Sequence, residues 1–175
     1  MKYYLREMPY DREKAIQYAH TWAYFRNPAY YNFEEIGGDC TNYASQCLYA
    51  GAGVMNYTKT FGWYYINLDE RAPAWSGVPY LYNFLTANTG AGPYGHEVDI
   101  SQAVAGDLAQ LVMSGKEFGH TPFIIAVNSP APTLDNVLVS AHTADSDCRP
   151  LSSYAFSQLR FIHIDGVRFI EAVED

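Results

Sequence analysis

Gly38-Asp39-Cys40-Thr41-Asn42-Tyr43-Ala44-Ser45 places a cysteine where a glycine-rich turn runs into a helix. A helix start carries unpaired backbone N–H groups and a partial positive charge, and both favour a thiolate over a thiol. Gly37 and Gly38 permit a sharp turn, and Asp39 is a residue type suited to capping the helix. A free thiol is only about 3% ionised at neutral pH, whereas helix N-termini and neighbouring cations lower its pKa to roughly 3.5–7.5. Cys40 is therefore expected to be an activated nucleophile rather than an inert core thiol.

Outward from Cys40, the spacing of Tyr43, Ala44, Cys47 and Leu48 predicts a helix to about residue 50, closed by the glycines at 51 and 53. Upstream, residues 11–26 read as an amphipathic helix with a stripe of Ile16, Ala19, Trp22, Ala23 and Phe25. Asp11 is its expected cap, and Asn27-Pro28 its stop. Residues 61–68 read as a short extended segment, 78–87 as a third helix with Pro79 in its first turn, and 89–95 as a glycine-rich loop.

From residue 107 the periodicity changes. Residues 107–113, 121–127, 137–141 and 159–164 are rich in Val, Ile, Leu and Phe and are bounded by Gly, Pro, Asn or Asp, which predicts an antiparallel sheet. Helices first and strands afterwards indicate an α+β domain, N-terminal helices packed on a C-terminal antiparallel β-sheet. The loops at 128–135 and 143–158 are expected to border a substrate cleft.

The 175 residues, 49% hydrophobic and 17% charged, suit a single domain over 1–175. No apolar run is long enough to cross a bilayer, and the segment after Met1 carries polar and charged residues instead of a secretory apolar region, so a soluble chain is expected. These features assign no compartment. Eleven basic against 19 acidic side chains give a formal charge of -8, which opposes binding to nucleic acid or anionic membranes. Most of the 16 tyrosines read as rings that wedge loops onto a small core.

The three cysteines at 40, 47 and 148 cannot all pair within the chain, and none stands in a CxxC spacing. Cys47 reads as a core residue, and Cys148 has no evident role. A nucleophilic cysteine needs a base, usually histidine, and the base needs an orienting group. Of five histidines, His20, His96 and His163 read as surface, rim and strand-face residues. His120, in Gly119-His120-Thr121-Pro122, starts one strand, and His142 ends the next. An antiparallel hairpin brings both to one end of the sheet. A competing reading makes Cys40, His120 and His142 zinc ligands, but no short paired-ligand spacing supports it, and no metal or cofactor site is predicted.

The run Asp39-Cys40-Thr41-Asn42-Tyr43-Ala44-Ser45-Gln46, the Gly106-Asp107 step, Gly119-His120 and Ser140-Ala141-His142-Thr143 resemble the bacterial "putative amidase domain" family, related to the papain-like cell-wall hydrolases of the CHAP and NlpC types. The resemblance implies a papain-like cysteine hydrolase fold. It also implies a Cys40 nucleophile, His120 as general base and acid, and His142 orienting His120, with Asp145 or Asn136 as substitutes for the third role. The Cys40 N–H would contribute to an oxyanion hole. The activity so implied is hydrolysis of an amide or peptide bond, cell-wall peptides being the expected substrate. A catalytically inactive binding module and a transglutaminase-like acyltransferase are the alternatives on the same fold.

Overall fold

The computed structural model describes residues 1–128 and 131–174; Ser129 and Pro130, in the loop expected beside a cleft, lie outside the described residues. Helix α1 (Arg12–Trp22) starts at Asp11, whose carboxylate accepts the Lys14 N–H at 3.1 Å. It ends four residues earlier than the apolar stripe predicts, and Phe25, expected in the core, is 67% exposed. Helix α2 (Cys40–Ala52) begins at the cysteine, as predicted, and ends at Gly53. Gly53 has a φ of 66°, a left-handed conformation that glycine adopts without steric cost. A short helix α3 (Pro73–Ser76) and helix α4 (Val78–Ala87) complete the helical layer. No helix is long and apolar enough to cross a membrane among the described residues.

Seven strands form one antiparallel sheet: β1 (Lys2–Met8), β2 (Gly92–Val98), β3 (Leu108–Val112), β4 (Phe123–Val127), β5 (Val137–Ala141), β6 (Ser146–Pro150) and β7 (Gln158–Val173). The order is β1-β7-β3-β4-β5-β6, with β2 on the other edge of β7. The protein is thus α+β, but its strands are not confined to the second half. β1 precedes every helix, β2 occupies the stretch read as a glycine-rich loop, and β6 lies in the stretch read as a long loop.

The physical reason is exposure. β1 is exposed along nearly its whole length and carries Lys2, Arg6 and Glu7, so it shows no buried alternation; pairing with residues 167–173 of β7 makes it a strand. In β2, Gly95 marks a register shift, and a Cβ there would stand 2.0 Å from the His163 carbonyl oxygen, so glycine is needed where two backbones meet. β7 continues past Asp165-Gly166, which read as a boundary, because strands pair along both its edges.

Side chains alternate across the sheet and divide the core in two. Leu108, Phe123, Ile125 and Ile162 pack with Tyr43, Leu48, Trp63 and Trp75 under the helices. Ala109, Leu111, Ile124, Val139 and Phe161 pack on the other face with Leu151 and Tyr154. Asp107, fully buried, joins the layers: its carboxylate takes Arg12 at 2.7 Å, His163 Nδ1 at 2.9 Å, and the backbone N–H groups of Val104 and Ile164. His163, read as a strand-face residue without duty, is half of that anchor.

Candidate active site

Cys40 is the first residue of α2, in the turn whose N–H groups have no intrahelical partner. Its Sγ lies 3.8 Å from Thr41 Oγ1, and the backbone N–H of Thr121 is a further group that favours its thiolate. Thr121 opens the approach to β4 and is held from two sides, by Thr41 Oγ1 at 3.1 Å and by Gln110 Nε2 at 3.3 Å. These bonds lock the start of β4 onto the start of α2. They bring the residue after His120 against the Cys40 thiol.

His120 is 4% exposed, and its Nε2 has no hydrogen-bond partner among the described residues. Its ring packs on Tyr154 at 5.4 Å between centroids, and Tyr154 in turn lies under the Arg149 guanidinium at 3.7 Å. The Tyr154 hydroxyl is also buried without a partner. Nothing in the sequence marks Tyr154 as a neighbour of His120.

His142 takes a different position from the expected one. Its Nδ1 bonds the Asp39 carboxylate and its Nε2 the Trp22 carbonyl oxygen at 2.8 Å, so the expected bond to His120 is not made. A carbonyl only accepts, hence Nε2 carries hydrogen. The Tyr43 ring stacks on the imidazole at 4.1 Å. The early end of α1 provides the Trp22 carbonyl. With both nitrogens of His142 taken, the arrangement of Cys40, His120 and His142 around one zinc ion is not assembled.

Asp39 does not cap α2 with its side chain. Its carboxylate turns back to accept Phe33 N–H at 2.8 Å and Asn42 Nδ2 at 2.9 Å, besides the bond to His142, and Arg26 Nε stands 3.4 Å away. The Asp39 N–H donates to Thr143 Oγ1 at 3.0 Å. A Cβ on Gly38, whose φ is 93°, would approach that same hydroxyl to 3.1 Å. The turn before Cys40 is thereby fastened to the β5–β6 turn, where Thr143 and Ala144 hold φ values of 62° and 61°. Asp145, a candidate for the third role, forms a two-bond pair with Arg26, both at 2.9 Å. Asn136, the other candidate, closes its own loop through Thr133 N–H and the Ala131 carbonyl.

Burial pushes the Cys40 thiol above its ordinary value, against the Thr121 N–H and the Thr41 hydroxyl, which favour the thiolate. The direction is opposite to that expected from the helix start alone. Burial, with Arg149 adding to it, pulls His120 down to about 4. At neutral pH the Cys40 thiol is protonated and the His120 imidazole neutral.

The His120 shift has a thermodynamic consequence. The unfolded chain binds a proton near the ordinary histidine value of 6.5, the folded one near 4, so stability present above 6.5 is lost as pH falls through about 4. The full loss is on the order of 3 kcal/mol. Urea unfolding of the wild type and His120→Gln between pH 7 and 4 is expected to show this extra loss only in the wild type. Parallel curves for the two proteins would contradict it.

A cavity of about 600 Å³ lies elsewhere, lined by Asn56, Phe61, Tyr80, Asn83, Phe84 and Thr89 among others. None of Cys40, His120 and His142 lines it. The geometry around Cys40, not the size of that cavity, identifies the candidate centre.

The family described as "Putative amidase domain" matches residues 9–164. A protein of Bacillus subtilis (strain 168), named "Uncharacterized protein YhbB", is 32% identical over 148 residues, which cover 82% of this chain and 45% of that protein. The chain thus spans less than half the length of that relative. No solved structure matches.

Proposed function

The chain belongs to the putative amidase domain family, and from that premise we propose that it hydrolyses an amide bond with Cys40 as nucleophile and His120 as general base. The observation that carries the reading is the thiol at the first turn of α2, beside a Thr41 hydroxyl that bonds the hydroxyl of Thr121, the residue after His120. A nucleophile-bearing helix against a base-bearing antiparallel sheet is also the arrangement of papain-like hydrolases, the fold type we propose.

His120, neutral at physiological pH, removes the Cys40 proton as Sγ attacks the carbonyl carbon. The oxyanion forms at the start of α2, where the Cys40 N–H and the helix dipole stabilise it. Collapse of the tetrahedral intermediate breaks the C–N bond. His120 returns its proton to the leaving amine, and a thioester on Cys40 remains. Water, deprotonated by His120, then releases the acid and the free thiol.

His142 acts as a positioning residue. Through Asp39 it holds the turn that sets Cys40, while Tyr154 confines the His120 ring by packing. The substrate we propose is a cell-wall peptide, a short amide-linked fragment, which accords with a chain whose charge of -8 opposes binding to anionic polymers.

Two readings test the site and the substrate separately. Because the thiol is raised, iodoacetamide should label Cys40 slowly at neutral pH, and faster as pH rises beyond the ordinary thiol range. Rapid labelling at pH 6 would mean a resting thiolate, against the neutral pair. Incubation with peptidoglycan peptides, followed by mass spectrometry, should give products heavier in sum by one water per cut. Products joined to an added amine would assign acyl transfer instead, and intact peptides would remove the substrate proposal.

A further inference from the structure

The start of β6 carries a different chemistry. His20 Nδ1 lies 2.8 and 3.0 Å from the two carboxylate oxygens of Asp147, and Cys148 Sγ is 3.8 Å from Asp147 Oδ1. One ligand atom from each of these three residues lies within 4.8 Å of the other two. His20 comes from the last turn of α1, and the other two from β6. No part of this cluster is used in the reaction proposed for Cys40.

Asp147 and Cys148 are neighbours in a strand, where successive side chains ordinarily point to opposite faces. A bulge removes that alternation. Ala141 pairs with Ser146 and Val139 with Arg149, so Ser140 alone stands opposite both Asp147 and Cys148. Cys148 takes up the extra residue with a φ of 57°, unusual for a side chain other than glycine or asparagine. The bulge thereby lets both residues present a ligand atom to His20. The Asp147 carboxylate is also oriented from behind by the Ser140 hydroxyl, and the Asp147 N–H donates to Tyr24 Oη at 3.1 Å.

We propose that His20, Asp147 and Cys148 form a binding site for a borderline-soft divalent cation of the zinc class. An imidazole, a carboxylate and a thiolate are the three donor types zinc accepts, and its bond lengths set tetrahedral ligand separations of about 3.3–3.6 Å. The observed separations of 2.8 to 3.8 Å for the bonded pairs bracket that range. Hard cations such as calcium and magnesium select oxygen donors and do not match this set. Binding replaces the thiol proton of Cys148 with the metal, so one proton leaves per ion bound. The ion would clamp the end of α1 to β6, next to the Trp22 carbonyl that receives His142.

Cobalt(II) is the spectroscopic probe, since a thiolate ligand gives it a near-ultraviolet charge-transfer band. Titration of the full chain is expected to show that band with one ion bound, and zinc is expected to displace it. Cys148→Ser should abolish the band, and His20→Gln should weaken binding more than about 100-fold, beyond the loss of an outer partner alone. Cys40→Ser should bind as the wild type does. A band that survives in Cys148→Ser or vanishes in Cys40→Ser would overturn the assignment, as would the absence of one-to-one binding. His20 and Cys148 are exposed and Asp147 is partly buried, and thermal unfolding without metal verifies that each variant folds.

Discussion

Replacing Cys40 by Ala is expected to lower kcat/KM for amide hydrolysis by about 10⁴- to 10⁶-fold, the scale on which loss of a nucleophile removes covalent catalysis. The fold should survive. Alanine is a good helix former at the first position of α2, and the thiol makes few bonds beyond those with Thr121 and Thr41. Cys47→Ala is the informative contrast. Cys47 is fully buried under the helices, so its truncation should lower the unfolding midpoint and leave turnover and Cys40 labelling intact. His120→Ala should cost less than the nucleophile, about 10²- to 10⁴-fold, because it removes proton transfer while the thiol remains. Steady-state rates with purified product masses measure all three. Hydrolysis by Cys40→Ala at a tenth of the wild-type rate would end the mechanism, whatever the substrate.

The second large effect concerns Asp39 and His142. Both are essentially inaccessible to solvent, and removing one partner of a buried hydrogen bond leaves the other unsatisfied, a loss of about 1–3 kcal/mol. Chemical denaturation of His142→Ala should show that loss. The double variant Asp39→Asn with His142→Ala should lose less than the sum of the single losses, because the pair's bond is counted once. The same variant decides how His142 serves catalysis. A residue acting through Asp39 on the turn before Cys40 should reduce kcat while leaving the acidic limb of the pH–rate profile in place. A displaced limb would instead return His142 to the role of orienting His120.

Much of this architecture was legible from local pattern. The glycines before Cys40, the apolar spacing of Tyr43, Ala44, Cys47 and Leu48, and the runs in β3, β4 and β5 depend on neighbours a few residues apart. The strands missed were those with little local signal. β1 is exposed and charged, β2 contains glycines that serve a close backbone approach, and β6 contains a bulge. Each owes its conformation to a partner distant in sequence.

The site divides along the same line. Sequence by itself determined that Cys40 opens a helix and that His120 stands just before a core strand. Only the tertiary structure decided the proton on Cys40, because burial by distant strands outweighs the local helix start. It likewise decided the partner of His142, which is an aspartate 103 residues away. It also set Cys148 beside His20. Turn chemistry and helix periodicity act over one or two turns of chain, whereas desolvation and pairing of buried charges depend on what the fold brings into contact.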